Sequence, residues 1–236
     1  MVPVGGRSLL AYHLDNFSRL GVDELVVVTG FEADTLRRRI DAFDTEGKIR
    51  IRCAFNPRFD ARNGLSVLAG VDALDTPRPF WLTMSDHVFD PSLFSEIAAL
   101  WASRRHRRWQ GALFVDRKLH TIFDMPDATK VRTDPDDFAI GKELVRFDAV
   151  DTGLFWCAPG FVDALRAERA RCGDCSTSDA VRRLVKKKRF GFVDIGEYFW
   201  QDVDTPEARD HAEMLIRTGF EPHPGKYKTP GSLNSG

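Results

Sequence analysis

Short apolar runs alternate with amphipathic helical segments along the first third of this 236-residue chain. The run from Asp23 to Thr29 is continuous and rich in β-branched residues, which is typical of a parallel strand buried on both faces. A helix capped by Ser8 and reaching Arg19 is predicted before it, and further helices are predicted at 33–43 and 64–73. This alternation predicts an α/β fold with a doubly wound, mostly parallel, Rossmann-like sheet.

The rest of the chain continues the pattern with one interruption. Strands are predicted at 48–56, 80–86, 111–115, 151–156, 190–194 and 200–202, and helices at 91–104, 159–169, 178–187 and 206–218. The section from about 117 to 150 is rich in turns and predicts a small antiparallel insertion with strands at 129–132, 138–142 and 145–150. We expect one domain over 1–220, with the insertion as a wall of a substrate pocket, and a flexible tail over 221–236.

The overall charge excludes a general attraction to nucleic acid or to an anionic membrane, because the formal net charge is only −1. The basic run 186–189 is interpreted as the solvated end of a helix. No apolar stretch approaches the roughly 18 residues of a membrane span, so we expect a cytoplasmic protein with no nucleic-acid or membrane partner. Cys172 and Cys175 have the spacing of a redox or zinc pair, but no second ligand pair is near them in the sequence.

Asp86 ends an apolar run that begins at Phe80. In an open α/β sheet, ligands bind outside the carboxyl ends of the strands, so an acid there is well placed for metal or phosphate chemistry. The alternative role is a helix N-cap. Asp90, followed by Pro91 at the first helical position, already fills that role. Asp86 is therefore a candidate functional residue.

A second pair of acids, Asp202 and Asp204, also follows a predicted strand. If that strand and the one ending at Asp86 share a sheet, their carboxylates converge. Two or three carboxylates at one edge suit Mg²⁺, which binds few protein ligands and completes its shell with substrate phosphates. Such a site would neutralise a nucleotide's phosphates and align an attacking oxygen. Lys130 and Lys142, in the insertion, are candidate partners of an acceptor phosphate, although an exposed hairpin would also carry such lysines.

Seven segments together resemble the sugar-phosphate nucleotidyltransferase superfamily, and within it the inositol-1-phosphate cytidylyltransferases. The segments are Pro3–Arg7, Asn56–Ser66, Met84–Phe89, Ala128–Val131, Ile140–Lys142, Asp151–Gly153 and Trp200–Glu207. The resemblance runs from residue 2 to about 218, and the segments are specific jointly rather than singly. It implies an enzyme that transfers a cytidylyl group from CTP to a phosphorylated alcohol, above all inositol 1-phosphate, and releases pyrophosphate.

The resemblance also implies roles for individual residues. Asp86 would be a ligand of the catalytic Mg²⁺, with Asp202 favoured as the second ligand and Asp204 as the alternate. The nucleotide would lie against four residues, namely Asn63, Gly64, Ser66 and Ser85. Lys130 and Lys142 would act in catalysis by holding the acceptor's phosphate. Asp151 and Gly153 would border the acceptor pocket.

The resemblance implies one further segment, a first, central strand and a Gly-x-Gly-x-Arg loop closed by a lysine, immediately before Pro3. In the family this loop cradles the triphosphate, and donors so placed contribute ~3 to 4 kcal/mol each to a transition state. The polypeptide as given is therefore expected to be a poor catalyst or inactive. A late start codon, a shortened polypeptide and a degenerate homologue are the three explanations. The first two are favoured because the remaining motif residues are intact.

Alternative functions stay open at this point. Phosphocholine or a phosphonate could replace inositol phosphate as the acceptor. The Asp202-Val-Asp204 segment imitates the Asp-x-Asp motif of nucleotide-sugar glycosyltransferases, although its position near the end of the domain argues against that class. An inactive nucleotide-binding homologue is the third alternative. The sequence also leaves open whether the chain forms a homodimer.

Overall fold

The structure is a computed structural model, and it describes residues 2–43, 49–74, 78–103 and 106–218. The helices in these ranges are α1 (Leu9–Arg19), α2 (Ala33–Asp41), α3 (Gly64–Asp72), α4 (Pro91–Ala102), α5 (Pro159–Cys172), α6 (Thr177–Lys186) and α7 (Pro206–Arg217). The strands are β1 (Pro3–Val4), β2 (Arg7–Ser8), β3 (Glu24–Thr29), β4 (Arg50–Phe55), β5 (Phe80–Thr83), β6 (His87–Phe89), β7 (Gly111–Asp116), β8 (Lys130–Arg132), β9 (Ala139–Gly141), β10 (Ala149–Cys157), β11 (Phe190–Asp194) and β12 (Trp200–Asp202). Four predicted features lie outside the described residues: the tail over 221–236, the end of the domain at 219–220, position 48 at the start of a strand and position 104 at the end of a helix.

The main sheet has six strands in the order β11-β7-β10-β8-β9, with β5 also paired to β10. The pair of β11 and β7 is parallel, whereas β10 is antiparallel to β5, β7 and β8. The predicted α/β class is confirmed, and the sheet is mixed. Apolar runs alone do not report strand direction, which is why the sequence did not reveal the reversal at β10.

The predicted insertion is present as an antiparallel hairpin of β8 and β9, and it joins the main sheet through β8. The strand predicted at 145–150 differs from the structure, because only its last two residues are extended and they begin β10. The residue before them, Asp148, turns back to the hairpin, and its carboxylate accepts hydrogen bonds from the amide and hydroxyl of Thr133 at 2.8 and 2.6 Å. These bonds hold residue 148 in the turn ahead of the strand.

Three helix starts predicted from capping residues are confirmed. The side-chain oxygens of Ser8, Asp90 and Thr205 accept hydrogen bonds from backbone amides in the first turn of their helices, at 3.3, 2.8 and 3.1 Å respectively. Such caps satisfy amides that have no partner within the helix. Because Asp90 is the N-cap of α4, Asp86 does not cap that helix.

The main sheet separates two apolar clusters, one on each face. Leu113 of β7 packs in the cluster that includes α3, α5 and α6, whereas the next residue, Phe114, packs against α1 and α4. Phe155 and Leu154 of β10 divide between the two faces in the same way. Alternate side chains of a strand point to opposite faces, so these neighbours anchor both helical layers to one pair of central strands. Among the described residues, no helix is long and apolar enough to cross a membrane.

A cleft separates the main sheet from the parallel pair of β3 and β4. Neither β3 nor β5 has a hydrogen-bonded strand on the edge that faces the other, within the described ranges. The cleft has a volume of about 290 Å³ and is lined by apolar residues of both strands, including Val26, Val28 and Phe80. At one end, Arg78 bridges it by donating to the carboxylates of Asp23 and Glu24 at 3.5 and 3.2 Å. The resemblance implies a further, central strand before Pro3, and its place in the sheet stays a prediction.

Amide hydrogen exchange should distinguish β3 from the centre of the main sheet. Strand β7 is buried throughout and paired on both sides, whereas β3 is paired on one side only. Opening energies within one protein run from near zero to the global value, so we expect the cleft-side amides of β3 to exchange at least about 100-fold faster than those of Phe114 and Val115. Equal protection of the two strands would contradict the open edge and would mean that another strand pairs with β3 in solution.

Candidate active site

Asp86 lies in the turn between β5 and β6, three residues after β5 ends at Thr83. Its side chain is 45% exposed. The turn is supported from α1, because the Nε2 atom of His13 lies 3.3 Å from the Ser85 carbonyl oxygen. Burial lowers the pKa of His13 to about 4, so this histidine is neutral and donates to that carbonyl. The helix and the strand end thus place Asp86 at the carboxyl edge of β5.

The pairing of β6 with β12 brings the second pair of acids to the same place. The two strands are antiparallel, and Asp202 lies opposite His87 in the register. Next to this pair, the amide of Val203 donates to the carbonyl oxygen of Asp86 at 2.9 Å. The carboxyl groups of Asp204 and Asp86 lie close enough to affect each other's pKa. The convergence expected from two separate strand ends is therefore present.

The three carboxyl groups repel one another. Burial first, and then the charges of Asp86 and Asp202, raise the pKa of Asp204. Burial is also the main cause that raises the pKa of Asp202, with a contribution from the charge of Asp86. Burial alone would raise the pKa of Asp86 as well, but the hydrogen bond and charge of His87 outweigh it and lower that pKa. Negative charge is thus concentrated on Asp86 beside two carboxyls that resist ionisation.

Oxygen ligands under mutual repulsion fit a hard cation, because a divalent ion would offset their charge. Gln201 holds Asp202 from the side by donating to its Oδ1 atom at 2.8 Å. Among the described residues, no group of three or more His, Cys, Asp and Glu side chains is arranged to hold a metal ion alone. A cation here would have to take further oxygen ligands from a bound substrate, which is how Mg²⁺ sites in phosphoryl-transfer enzymes are commonly completed.

Gly153 and Asp151 lie next to this site on β10. Gly153 has φ +73° and occupies an irregularity in the register of β10 with β7. The Asp151 side chain accepts a hydrogen bond from the Gly153 amide at 2.8 Å. Burial nevertheless raises the pKa of Asp151 to about 6. Asp151 also donates its amide to Thr129, so the predicted acceptor border and the start of the inserted hairpin are in direct contact.

Both predicted lysines contact the turn that precedes the hairpin. The Nζ atom of Lys130, a residue with 7% exposure, donates to the Pro126 carbonyl at 2.9 Å. The Nζ atom of Lys142 forms an exposed ion pair with Asp127 at 2.6 Å. The charge of Asp124, in the same turn, contributes to the pKa of Asp202. The turn therefore contacts both lysines and lies near Asp202.

Three of the residues expected to contact the nucleotide lie at the start of α3, packed on the loop between α5 and α6. Asn63 exchanges hydrogen bonds with Thr177, and the hydroxyl of Ser66 accepts from the amide of Asn56 at 3.0 Å. A Cβ atom on Gly64 would lie 2.6 Å from the Cys175 carbonyl oxygen, so this packing requires glycine. Their nucleotide contacts stay predictions, as does that of the fourth, Ser85, which is exposed beside Asp86.

The aromatic support of the site was not predicted from the sequence. His87 lies 2.6 Å from Asp86 through its Nδ1 atom, and its ring stacks on Trp200. Trp200 in turn donates its indole N–H to Asp116 at 3.1 Å. The only local signals were a histidine directly after one acid and a tryptophan two residues before another. Their meaning depends on contacts between segments more than eighty residues apart.

Comparisons with known proteins identify the family of the chain. The family described as MobA-like NTP transferase domain matches residues 1–122. Among the relatives is a bifunctional IPC transferase and DIPP synthase from Thermococcus kodakarensis, which is 32% identical over 226 residues, covering 94% of this chain and 47% of the relative. A protein of the same name from Aquifex aeolicus is 25% identical, with 94% and 47% covered. The chain thus spans about half the length of the curated relatives it matches.

Two solved structures share the fold. The inositol-1-phosphate CTP transferase from T. maritima has a TM-score of 0.73 at 19% identity, covering 92% of this chain and 86% of that one. A UDP-glucose pyrophosphorylase complexed with UDP-glucose has a TM-score of 0.70 at 16% identity, with 92% and 89% covered. These matches confirm the doubly wound α/β fold, and the family match together with the sequence relatives confirms the resemblance found in the sequence. With more than half of its length matched by one family, the chain belongs to the MobA-like NTP transferase domains.

Proposed function

We propose that this chain transfers a cytidylyl group from CTP to a phosphorylated alcohol, with inositol 1-phosphate as the first choice, and releases pyrophosphate. Membership of the NTP transferase family supports the reaction type. The names of several relatives, which are IPC transferase and DIPP synthase proteins, support the choice of acceptor. Because the chain spans about half of those relatives, only their first activity is proposed here.

The observation that carries the proposal is the pairing of β6 with β12, which brings Asp86, Asp202 and Asp204 to one edge of the sheet. A nucleotidyltransferase has little covalent chemistry of its own to perform. Its work is to position two phosphate groups and to stabilise the charge that moves between them. A cluster of carboxylates at the carboxyl edge of a strand fits that work if a divalent cation is bound there.

The proposed cation is Mg²⁺, held by Asp86 together with Asp202 or Asp204. When bound, it would neutralise triphosphate oxygens of CTP and favour the loss of pyrophosphate. In the reaction, an oxygen of the acceptor's phosphate forms a bond to the α-phosphorus of CTP. The bond between that phosphorus and the oxygen bridging to the β-phosphorus breaks, and the electron pair leaves with pyrophosphate. No enzyme nucleophile is needed.

Lys142 and Lys130 are proposed to bind the acceptor's phosphate. Lys142 is already paired with a carboxylate, that of Asp127, in an exposed ion pair. An acceptor phosphate would replace this carboxylate as the anionic partner of Lys142. Exchange of one exposed anion for another involves little desolvation, so the lysine is available to a substrate. Asp151 and Gly153 would form the neighbouring edge of the acceptor pocket.

Pyrophosphate release tests the proposal. We would measure it with CTP and inositol 1-phosphate in Mg²⁺, using the 236-residue chain and a version extended upstream of Met1 in its own reading frame. Phosphocholine, a phosphonate and a UDP-sugar would serve as competing substrates. We expect turnover to be fastest with CTP and inositol 1-phosphate. A faster rate with another acceptor would overturn the substrate assignment, and CTP binding without turnover in both versions would indicate an inactive homologue.

Removal of one carboxylate should abolish most of the activity. Charge stabilisation by a bound metal ion is worth several kcal/mol, so Asp86→Asn is expected to lower kcat at least about 100-fold. The matched control is Asp163→Asn, which changes an exposed aspartate on the outer face of α5. Steady-state kinetics of the two variants would decide the matter, and similar kcat values in both would contradict a role of Asp86.

Replacement of Lys142 should weaken the binding of the phosphorylated acceptor and leave that of CTP unchanged. Hydrogen bonds to charged groups contribute roughly 1.5 to 3 kcal/mol, so Lys142→Met should raise the KM for the phosphorylated acceptor about tenfold or more. The KM for CTP should stay unchanged, and Lys142→Arg should restore part of the loss. Lys186→Met, at the exposed end of α6, is the control. If Lys142→Met leaves the acceptor KM at the wild-type value, Lys142 lies outside the acceptor site.

A further inference from the structure

The side chain of His87 is held more firmly than the carboxylate it contacts. Its Nδ1 atom lies 2.6 Å from the Oδ1 atom of Asp86. The His87 side chain is 12% exposed, whereas that of Asp86 is 45% exposed. A short bond from a buried ring to a half-exposed carboxylate restricts the carboxylate more than the ring. His87 is therefore able to set the direction in which Asp86 points.

Trp200 covers one side of the His87 ring. The two ring centroids are 5.4 Å apart and the planes are inclined by 22°, which is a stacked arrangement. Strand pairing produces this contact, since Asp202 is the direct partner of His87 and Trp200 lies two residues earlier on β12. Such diagonal neighbours on one face of an antiparallel pair are within reach of aromatic side chains.

Gly153 closes the space on another side of the ring. A Cβ atom at this position would lie 2.8 Å from the Nε2 atom of His87 and 3.0 Å from Met84. These distances are too short for a side chain, so the backbone of β10 approaches the imidazole as closely as it can. The positive φ of Gly153 and the local irregularity of β10 make this approach. The ring is thus confined between a tryptophan and a strand.

A buried ion pair fixes the tryptophan. The indole N–H of Trp200 donates to the Oδ2 atom of Asp116, a residue that is only 2% exposed. The other oxygen of Asp116 accepts from the Nζ atom of Lys118 at 2.9 Å, and Lys118 also donates to the carbonyl oxygens of Gly196 and Tyr198. The indole is consequently held by a carboxylate whose two oxygens both accept hydrogen bonds.

We propose that His87 is a positioning residue, and that the ring confined between Trp200 and Gly153 holds the Asp86 carboxylate in the orientation that binds the cation. The inference rests on the carboxylate site of the proposed function. It assigns His87 no contact with the substrate. Groups that orient a metal ligand in this way typically change metal affinity about 10- to 100-fold when they are replaced.

Two substitutions separate the hydrogen bond from the packing of the ring. His87→Phe keeps an aromatic ring between Trp200 and Gly153 but removes the N–H donor. His87→Asn removes the ring but keeps an N–H donor close to the place of Nδ1. The matched control is His106→Phe, since His106 is also partly buried and stacks on a tryptophan, Trp101, at 4.6 Å.

The measurement is Mn²⁺ affinity by electron paramagnetic resonance, with and without CTP, together with the melting temperature of each variant. We expect His87→Phe to bind Mn²⁺ about 10- to 100-fold more weakly than wild type. His87→Asn should keep most of the affinity, and His106→Phe should match wild type. Wild-type affinity in His87→Phe would overturn the inference, as would a greater loss in His87→Asn than in His87→Phe, because the ring alone would then matter.

Each of the remaining outcomes also supports or overturns the inference about His87. If His87→Phe does not fold, His87→Leu replaces it as the variant without a donor, and a loss of about tenfold or more relative to His87→Asn supports the inference whereas equal affinity overturns it. A wild-type chain that binds no Mn²⁺ would overturn the inference together with the carboxylate site. Mn²⁺ binding that depends on His87, in a protein without CTP turnover, would remove the proposed function and leave the positioning role in place.

Discussion

The antiparallel pairing of β6 with β12 forces carboxyl groups from distant parts of the chain into one small volume. Asp86 and Asp204 come close enough to affect each other's pKa, and burial and mutual repulsion raise the pKa of both Asp202 and Asp204. Such a cluster opposes folding unless a proton or a cation offsets the charge. Two short strands, each three residues long, therefore hold an arrangement that would gain stability from the proposed cation.

The surrounding structure stabilises this pairing from several directions. Helix α1 supports the turn before β6 through His13, and α7 begins directly after Asp204 with Thr205 as its cap. The backbone of β10 closes against His87 at Gly153, and the inserted hairpin pairs with the first two residues of the same strand. The proposed acceptor site is thus built on the strand that also confines the proposed metal ligand. One strand, reversed relative to its neighbours, would position both substrates.

Local sequence signals predicted much of this and failed where pairing is not local. Asp86 and the Asp202 and Asp204 pair were found because each follows an apolar run, and the caps at Asp90 and Thr205 were found because their bonds span only two or three residues. The reversed direction of β10 could not be predicted from such local signals, and neither could the stack of His87 on Trp200. Apolar periodicity does not record which strand lies beside which, or in which direction.

The most direct test of the account is to locate a bound cation. Crystals of the protein soaked with Mn²⁺ and CTP would be measured near the manganese absorption edge, where the ion gives an anomalous difference peak. The account predicts a peak in contact with the carboxylate of Asp86 and with that of Asp202 or Asp204, next to phosphate oxygens of the nucleotide. A nucleotide bound with its manganese ion away from all three aspartates would contradict it.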